Sequence, residues 1–166
     1  HLFEAMKEKE LLRLEGPYGS SYLRHDSASP IILLASGTGI APIKTMIEHM
    51  QFMGSQRSAM LYWGNRRPRD LYLDAWIREQ MEQMPGLSYV PVVSDATDDD
   101  HWEGRTGFVH LAVLEDHPDL SGHQVYACGT PAMVDAARED FEQQAGLPSH
   151  QFFADPFTTE ADKLHT

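Results

Sequence analysis

Residues 31–42 read Ile-Ile-Leu-Leu-Ala-Ser-Gly-Thr-Gly-Ile-Ala-Pro, and few folds accommodate that order. Residues 31–35 are an unbroken apolar run of strand length. A strand with no polar alternate is one covered on both faces, as in a parallel sheet. Gly37 and Gly39 follow at once, and without a Cβ they let the backbone turn tightly and come close to a neighbour or a ligand. Ile40, Ile43, Ile47 and Met50 then recur at helical spacing. Strand, glycine turn and helix start together make an anion site, because free N–H groups and the helix dipole converge on the turn. The diphosphate of a nucleotide is the natural guest. A lone Gly-x-Gly is equally the mark of a plain strand-to-helix connection, so the rest of the chain has to decide between the two.

Composition narrows the partners. The 166 residues carry a net charge of −12, which argues against nucleic acid and against anionic membrane surfaces. A single cysteine forms no internal disulfide and points to a reducing, cytoplasmic setting. No apolar run approaches the roughly 20 residues that span a bilayer. A start at His1 without a leader is what a fragment or a processed product would show. The nine histidines are dispersed, with no paired Cys or carboxylate spacing, so no metal site is expected. An apolar fraction of 42% is enough for one compact domain with a sizeable core.

Periodicity predicts strands over residues 11–15, 31–35, 59–64, 87–93, 124–128 and 151–153, and helices over 40–52, 71–84, 108–116 and 132–144. Residues 95–105 read as an acidic loop, and residues 159–166 as a frayed tail. Short connections between alternating strands and helices imply an α/β fold, a doubly wound parallel sheet of about five strands with helices on both faces and right-handed crossovers. Such sheets bind ligands at the carboxyl ends of their strands, near the point where strand order reverses.

Distinctive groups stand at those strand ends: Ser36-Gly37-Thr38-Gly39, Gly64-Asn65-Arg66 with Asp70-Leu71-Tyr72, Ser94-Asp95, and Cys128-Gly129-Thr130-Pro131-Ala132-Met133. Cys128 has two readings, a small buried hydrophobe or a sulfur beside a planar ring, since it precedes a glycine at a strand terminus with a helix opening behind it. Gly129 and Pro131 are also ordinary helix-start signals. Arg66, Arg67 and Arg69 form either a solvated turn or a set of ribose and phosphate contacts.

With Gly16-Pro17-Tyr18-Gly19 and Phe153-Ala154-Asp155-Pro156-Phe157 added, these motifs resemble, in order and over nearly the whole chain, the nicotinamide-binding half of the ferredoxin–NADP⁺ reductase superfamily. The likeness is strongest to bacterial NADH-dependent flavin/iron–sulfur reductases. That resemblance implies a domain that binds NAD(P)H and passes hydride to FAD, with electrons going on to an iron–sulfur centre. It implies that Gly37, Thr38 and Gly39 take the diphosphate, with Thr38 near the nicotinamide and Ile40 and Pro42 starting the helix behind. Gly64, Asn65 and Arg66 would lie along the adenosine ribose, supported by Asp70. Cys128 and Gly129 would border the reactive carbon, Met133 would help enclose the dinucleotide, and Phe157 would lie against the flavin unless it is ordinary core packing. Gly16, Tyr18 and Gly19 would touch the flavin or its phosphates.

The flavin-binding motifs of the family are absent, and residues 1–29 resemble only the end of a flavin barrel, leaving 30–158 as the nicotinamide domain. One cysteine holds no iron–sulfur cluster. The FAD domain is therefore expected in the same parent chain, and the acceptor in a fused iron–sulfur domain or a separate protein. Ser94 and Asp95, with Asp98, Asp99 and Asp100, oppose a 2′-phosphate and favour NADH, while the arginines pull the other way. The alternative is a non-redox nucleotide-binding or sensor module, which would need neither Cys128 nor Phe157.

Overall fold

A computed structural model of the chain describes residues 11, 13, 15 and 21–157. The apolar run forms the central strand β1 (Ile31–Ser36). Its side chains divide between the two faces of the sheet, as a period of two requires. Ile31, Leu33 and Ala35 pack with Ile43 and Ile47 of α1 (Ile40–Phe52) and Ile77 of α2 (Asp74–Gln83). Ile32 and Leu34 pack with Val113 of α3 (Val109–Asp116) and with Val134 and Phe141 of α4 (Pro131–Gln144). Each large aliphatic side chain buried in this way contributes about 1.5–3 kcal/mol.

The remaining strands are β2 (Ala59–Asn65), β3 (Leu87–Val93), β4 (Arg105–Thr106), β5 (Gln124–Gly129) and β6 (Phe152–Pro156). All pairings are parallel, in the order β4-β3-β2-β1-β5-β6. The chain steps from β1 to β2 on one side and returns to β5 on the other. The switch point therefore lies between β1 and β5.

The sheet has six strands rather than about five. The additional strand, β4, pairs Arg105 with Val92 and Thr106 with Val93, at the end of the stretch predicted as a loop. It carries no apolar pattern. It is held by the Trp102 indole N–H, which donates to the Arg105 carbonyl at 3.0 Å, and by the Arg105 guanidinium, which bonds the Ala112 carbonyl and the Glu115 carboxylate. The second helix starts at Asp74 and not at 71, because Pro68–Asp70 forms a separate 3₁₀ turn closed by the Arg67 N–H on Asp70 Oδ2.

Of the strand predicted over 11–15, the described residues Leu11, Arg13 and Glu15 are exposed and outside any strand. The segment 21–30 has no regular structure but is pinned to the sheet. Arg57 donates to the carbonyls of Ser29 and Arg24 and to Gln124 Oε1, and the Arg24 N–H donates to the Tyr126 hydroxyl at 2.9 Å.

Candidate functional site

A cleft of about 760 Å³ opens at the carboxyl ends of β1, β2 and β3, between the first turns of α3 and α4. Its size falls within the roughly 300–1,000 Å³ of small-molecule sites, and its place beside the switch point is where open α/β sheets bind ligands.

Residues 37–39 form a 3₁₀ turn after β1, and its two glycines serve different neighbours. Gly37 has φ +53° and lines the cleft, and nothing lies within 4 Å of where its Cβ would stand. Its carbonyl accepts the Trp63 indole N–H at 2.9 Å, which fixes the turn. Gly39 is buried, and a Cβ there would run into the Cys128 carbonyl and the Gly129 amide. The close approach that Gly39 permits is to β5. Thr38 is exposed outside the cleft lining, Ile40 is fully buried in the core, and Pro42 is half-buried in the first turn of α1. Of the five residues expected here, the structure brings only Gly37 to the cleft wall. The Ile40 N–H is turned to the carbonyls of Gly37 and Thr38 and is satisfied within the turn.

At the end of β2, a Cβ on Gly64 would stand 2.8 Å from Val109 Cβ, so the glycine lets α3 settle on the strand. Asn65 and Asp70 line the cleft. The Asn65 carbonyl accepts the Ser94 N–H at 2.9 Å, which ties the end of β2 to the end of β3. Asn65 Nδ2 is buried with no partner. A stranded donor of this kind is costly. Arg66 lines the cleft and pairs with Asp95 at 3.4 Å, so the cation and the carboxylate read as opponents in the sequence partly neutralise each other. Arg67 is held by Asp100 at 2.9 Å and by Thr97 Oγ1 at 2.8 Å. Ser94 also lines the cleft.

At the end of β5, the Cys128 side chain is fully buried among the residues packed under α1 and lies outside the cleft lining. Burial pushes its thiol up to about 11, so it is protonated at neutral pH. Gly129 has φ +146°, and a Cβ there would strike Ser36 Oγ. That hydroxyl accepts the Thr130 N–H at 3.2 Å. Phe157 is half-buried, and its N–H donates to the Gly129 carbonyl at 2.7 Å, which brings the end of β6 beside the end of β5. Met133 lines the cleft from α4. Gly16, Tyr18 and Gly19 lie outside the described residues.

Sequence reasoning did not assign Ser36, Gly107, Phe108, His110, Thr130 or Ala136, all of which line the cleft. Ser36 and Thr130 stood in the strand-end motifs. Phe108 and His110 carried no such signal because β4 was missed, and with it the fact that residues 107–110 follow a strand end. Phe108 is 65% exposed, and its ring stacks on His110 with centroids 6.0 Å apart and planes at 22°. Among the described residues no cluster of three or more His, Cys, Asp or Glu is placed to hold a metal, and no helix is long and apolar enough to cross a membrane.

The model of the oxidoreductase NAD-binding domain matches residues 33–139. The chain is 47% identical over 156 residues to the CDP-6-deoxy-L-threo-D-glycero-4-hexulose-3-dehydrase reductase of Yersinia pestis, covering 94% of this chain and 46% of that protein. It is 34% identical over 163 residues to the reductase component of phenol 2-monooxygenase from Pseudomonas sp. strain CF600, covering 97% of this chain and 46% of that protein. Among solved structures it superposes on the Amycolatopsis cytochrome P450 reductase GcoB with a TM-score of 0.78 at 33% identity, over 87% of this chain and 43% of that one. The chain thus spans about half the length of the curated relatives it matches. The cleft opens at the carboxyl edge of the six-stranded parallel sheet, and the chain belongs to the oxidoreductase NAD-binding domain family.

Proposed function

We propose that the chain binds NADH in the cleft and presents the nicotinamide at the β5–β6 edge to a flavin held by a part of the protein outside residues 30–158. The observation that carries this reading is the cleft beside the switch point, with the bare backbone of Gly37 on one wall and Asn65, at the end of β2, on another. Both fit a dinucleotide: the first leaves room for a diphosphate, and the second sets a polar residue on the ribose side. Asp70, Ser94 and Arg66 stand on the same ribose side, with Met133 at the other end and Gly129, buried outside the lining, holding the backbone behind it. Thr38, Gly39, Ile40 and Pro42 act by holding the turn that carries Gly37. Bound there, the reduced nicotinamide supplies a hydride to the flavin, and that chemistry belongs to the cofactors.

The chain's own contribution is position. The Phe157 N–H on the Gly129 carbonyl fixes where the end of β6 stands relative to β5, and Cys128 supports that corner from within the core. Asp95, paired with Arg66, opposes a 2′-phosphate and supports a preference for NADH. The relatives are reductases of a dehydrase and of a monooxygenase. By analogy the whole protein passes electrons to an iron–sulfur centre serving a partner enzyme, and that centre lies elsewhere, because one cysteine holds no cluster.

Stopped-flow reduction of the whole flavoprotein by NADH tests the reading. Phe157→Ala slows flavin bleaching at saturating NADH about tenfold and leaves the NAD⁺ dissociation constant within a few-fold. A whole protein that is colourless and unchanged by NADH would instead favour a sensor.

A further inference from the structure

His25 and His49 lie outside the cleft lining and have no part in the proposed function. Their Nε2 atoms stand 3.1 Å apart at the protein surface, with ring centroids 4.9 Å apart and planes at 69°. His25 belongs to the irregular segment 21–30, and His49 to the last turn of α1. An imidazole nitrogen carries either a proton or a lone pair, so in a contact this short one nitrogen donates and the other accepts. The same nitrogen, unprotonated, is the commonest protein ligand of metal ions.

The spacing fits that second use. Two metal–nitrogen bonds of about 2.0–2.1 Å hold their nitrogens about 2.9 Å apart at a right angle and about 3.3 Å apart at the tetrahedral angle. The observed separation lies between the two, so the nitrogens shift by only about 0.2 Å to share one ion. Both backbones are already fixed. Arg57 donates to the Arg24 carbonyl on one side of His25 and to the Ser29 carbonyl on the other, and His49 is held by its helix. Ligands set in place beforehand lose little freedom on binding. The carboxyl end of α1 also carries the negative pole of the helix dipole, which favours a cation.

We propose that His25 and His49 form a surface site for one divalent ion of the zinc, nickel or copper class, the class that imidazole suits. The ion clips segment 21–30 to the end of α1, and water completes its coordination. α1 runs back along the sheet from the carboxyl end of β1, so its last turn lies at the opposite edge of the sheet from the cleft. The site is therefore independent of the nucleotide reading.

Titration of the 166-residue chain with zinc chloride, followed by nitrogen NMR of the histidine rings, tests this. The Nε2 signals of His25 and His49 move together and saturate at one ion per chain, ahead of every other histidine. His25→Gln and His49→Gln keep a hydrogen-bonding group at each position without an imidazole, and calorimetry shows each weakening zinc binding about tenfold or more. Zinc raises the melting temperature of the wild type and of neither variant, and it slows amide exchange across segment 21–30. Zinc that moves His117 or His123 first overturns the proposal, as does equal affinity for the wild type and either glutamine variant. Absence of binding below about 1 mM zinc also overturns it, and unchanged exchange across segment 21–30 at saturating zinc overturns the clip.

Discussion

Cys128 is in register with Asp155 and precedes Gly129, whose carbonyl holds the Phe157 amide. The backbone around Cys128 thus belongs to the corner where the nicotinamide is proposed to sit, while its side chain belongs to the core. Burial holds the thiol at about 11 against an ordinary value of 9.0. The folded state therefore keeps a proton that the unfolded chain loses. The stability this contributes is complete below pH 9 and declines as pH rises towards 11, by at most about 2.7 kcal/mol. Urea denaturation across that range checks it. Cys128→Ala flattens part of the decline, although Tyr62, Tyr89 and Tyr126, also raised by burial, keep a share. A decline equally steep in the variant would contradict the assignment. Asp95 makes a second prediction at this scale. Removing it in Asp95→Ala frees the Arg66 guanidinium and raises affinity for NADP⁺ relative to NAD⁺ about tenfold, or 1.4 kcal/mol. Titration with both nucleotides measures the ratio, and an unchanged ratio would show that Asp95 has no part in coenzyme choice.

At the scale of the elements, the unit of β1, the 3₁₀ turn and α1 was legible from residues 31–52 because burial on both faces and helical periodicity both leave a plain apolar record. The division of labour between its glycines was not, because composition does not say which neighbour a missing Cβ admits. The structure separates them, with Gly37 facing open space and Gly39 pressed against the Cys128 carbonyl. Gly39→Ala therefore costs about 3 kcal/mol in urea unfolding by overpacking. Gly37→Ala costs only about 1 kcal/mol of left-handed strain, but Gly37→Val weakens NAD⁺ binding more than tenfold. The opposite ranking would reverse the roles of the two glycines. β4 was illegible for a related reason. Two polar residues paired to Val92 and Val93 have no periodicity, and the contacts that hold them come from Trp102, Ala112 and Glu115. With β4 unseen, Phe108 and His110 read as an ordinary helix start, and one wall of the cleft was missed.

For the whole molecule, the strand order β4-β3-β2-β1-β5-β6 places the reversal between β1 and β5, so residues far apart in sequence converge on one crevice. Gly37, Asn65, Ser94, Phe108 and Met133 belong to or follow five different elements and line the same cleft. Amide chemical-shift mapping by NMR tests that convergence. On adding NAD⁺ to the chain, the largest shifts fall at Gly37, Asn65, Ser94, Phe108 and Thr130, with α2 and the amino ends of the strands unmoved. Shifts confined to another face, or none at saturating nucleotide, would contradict it.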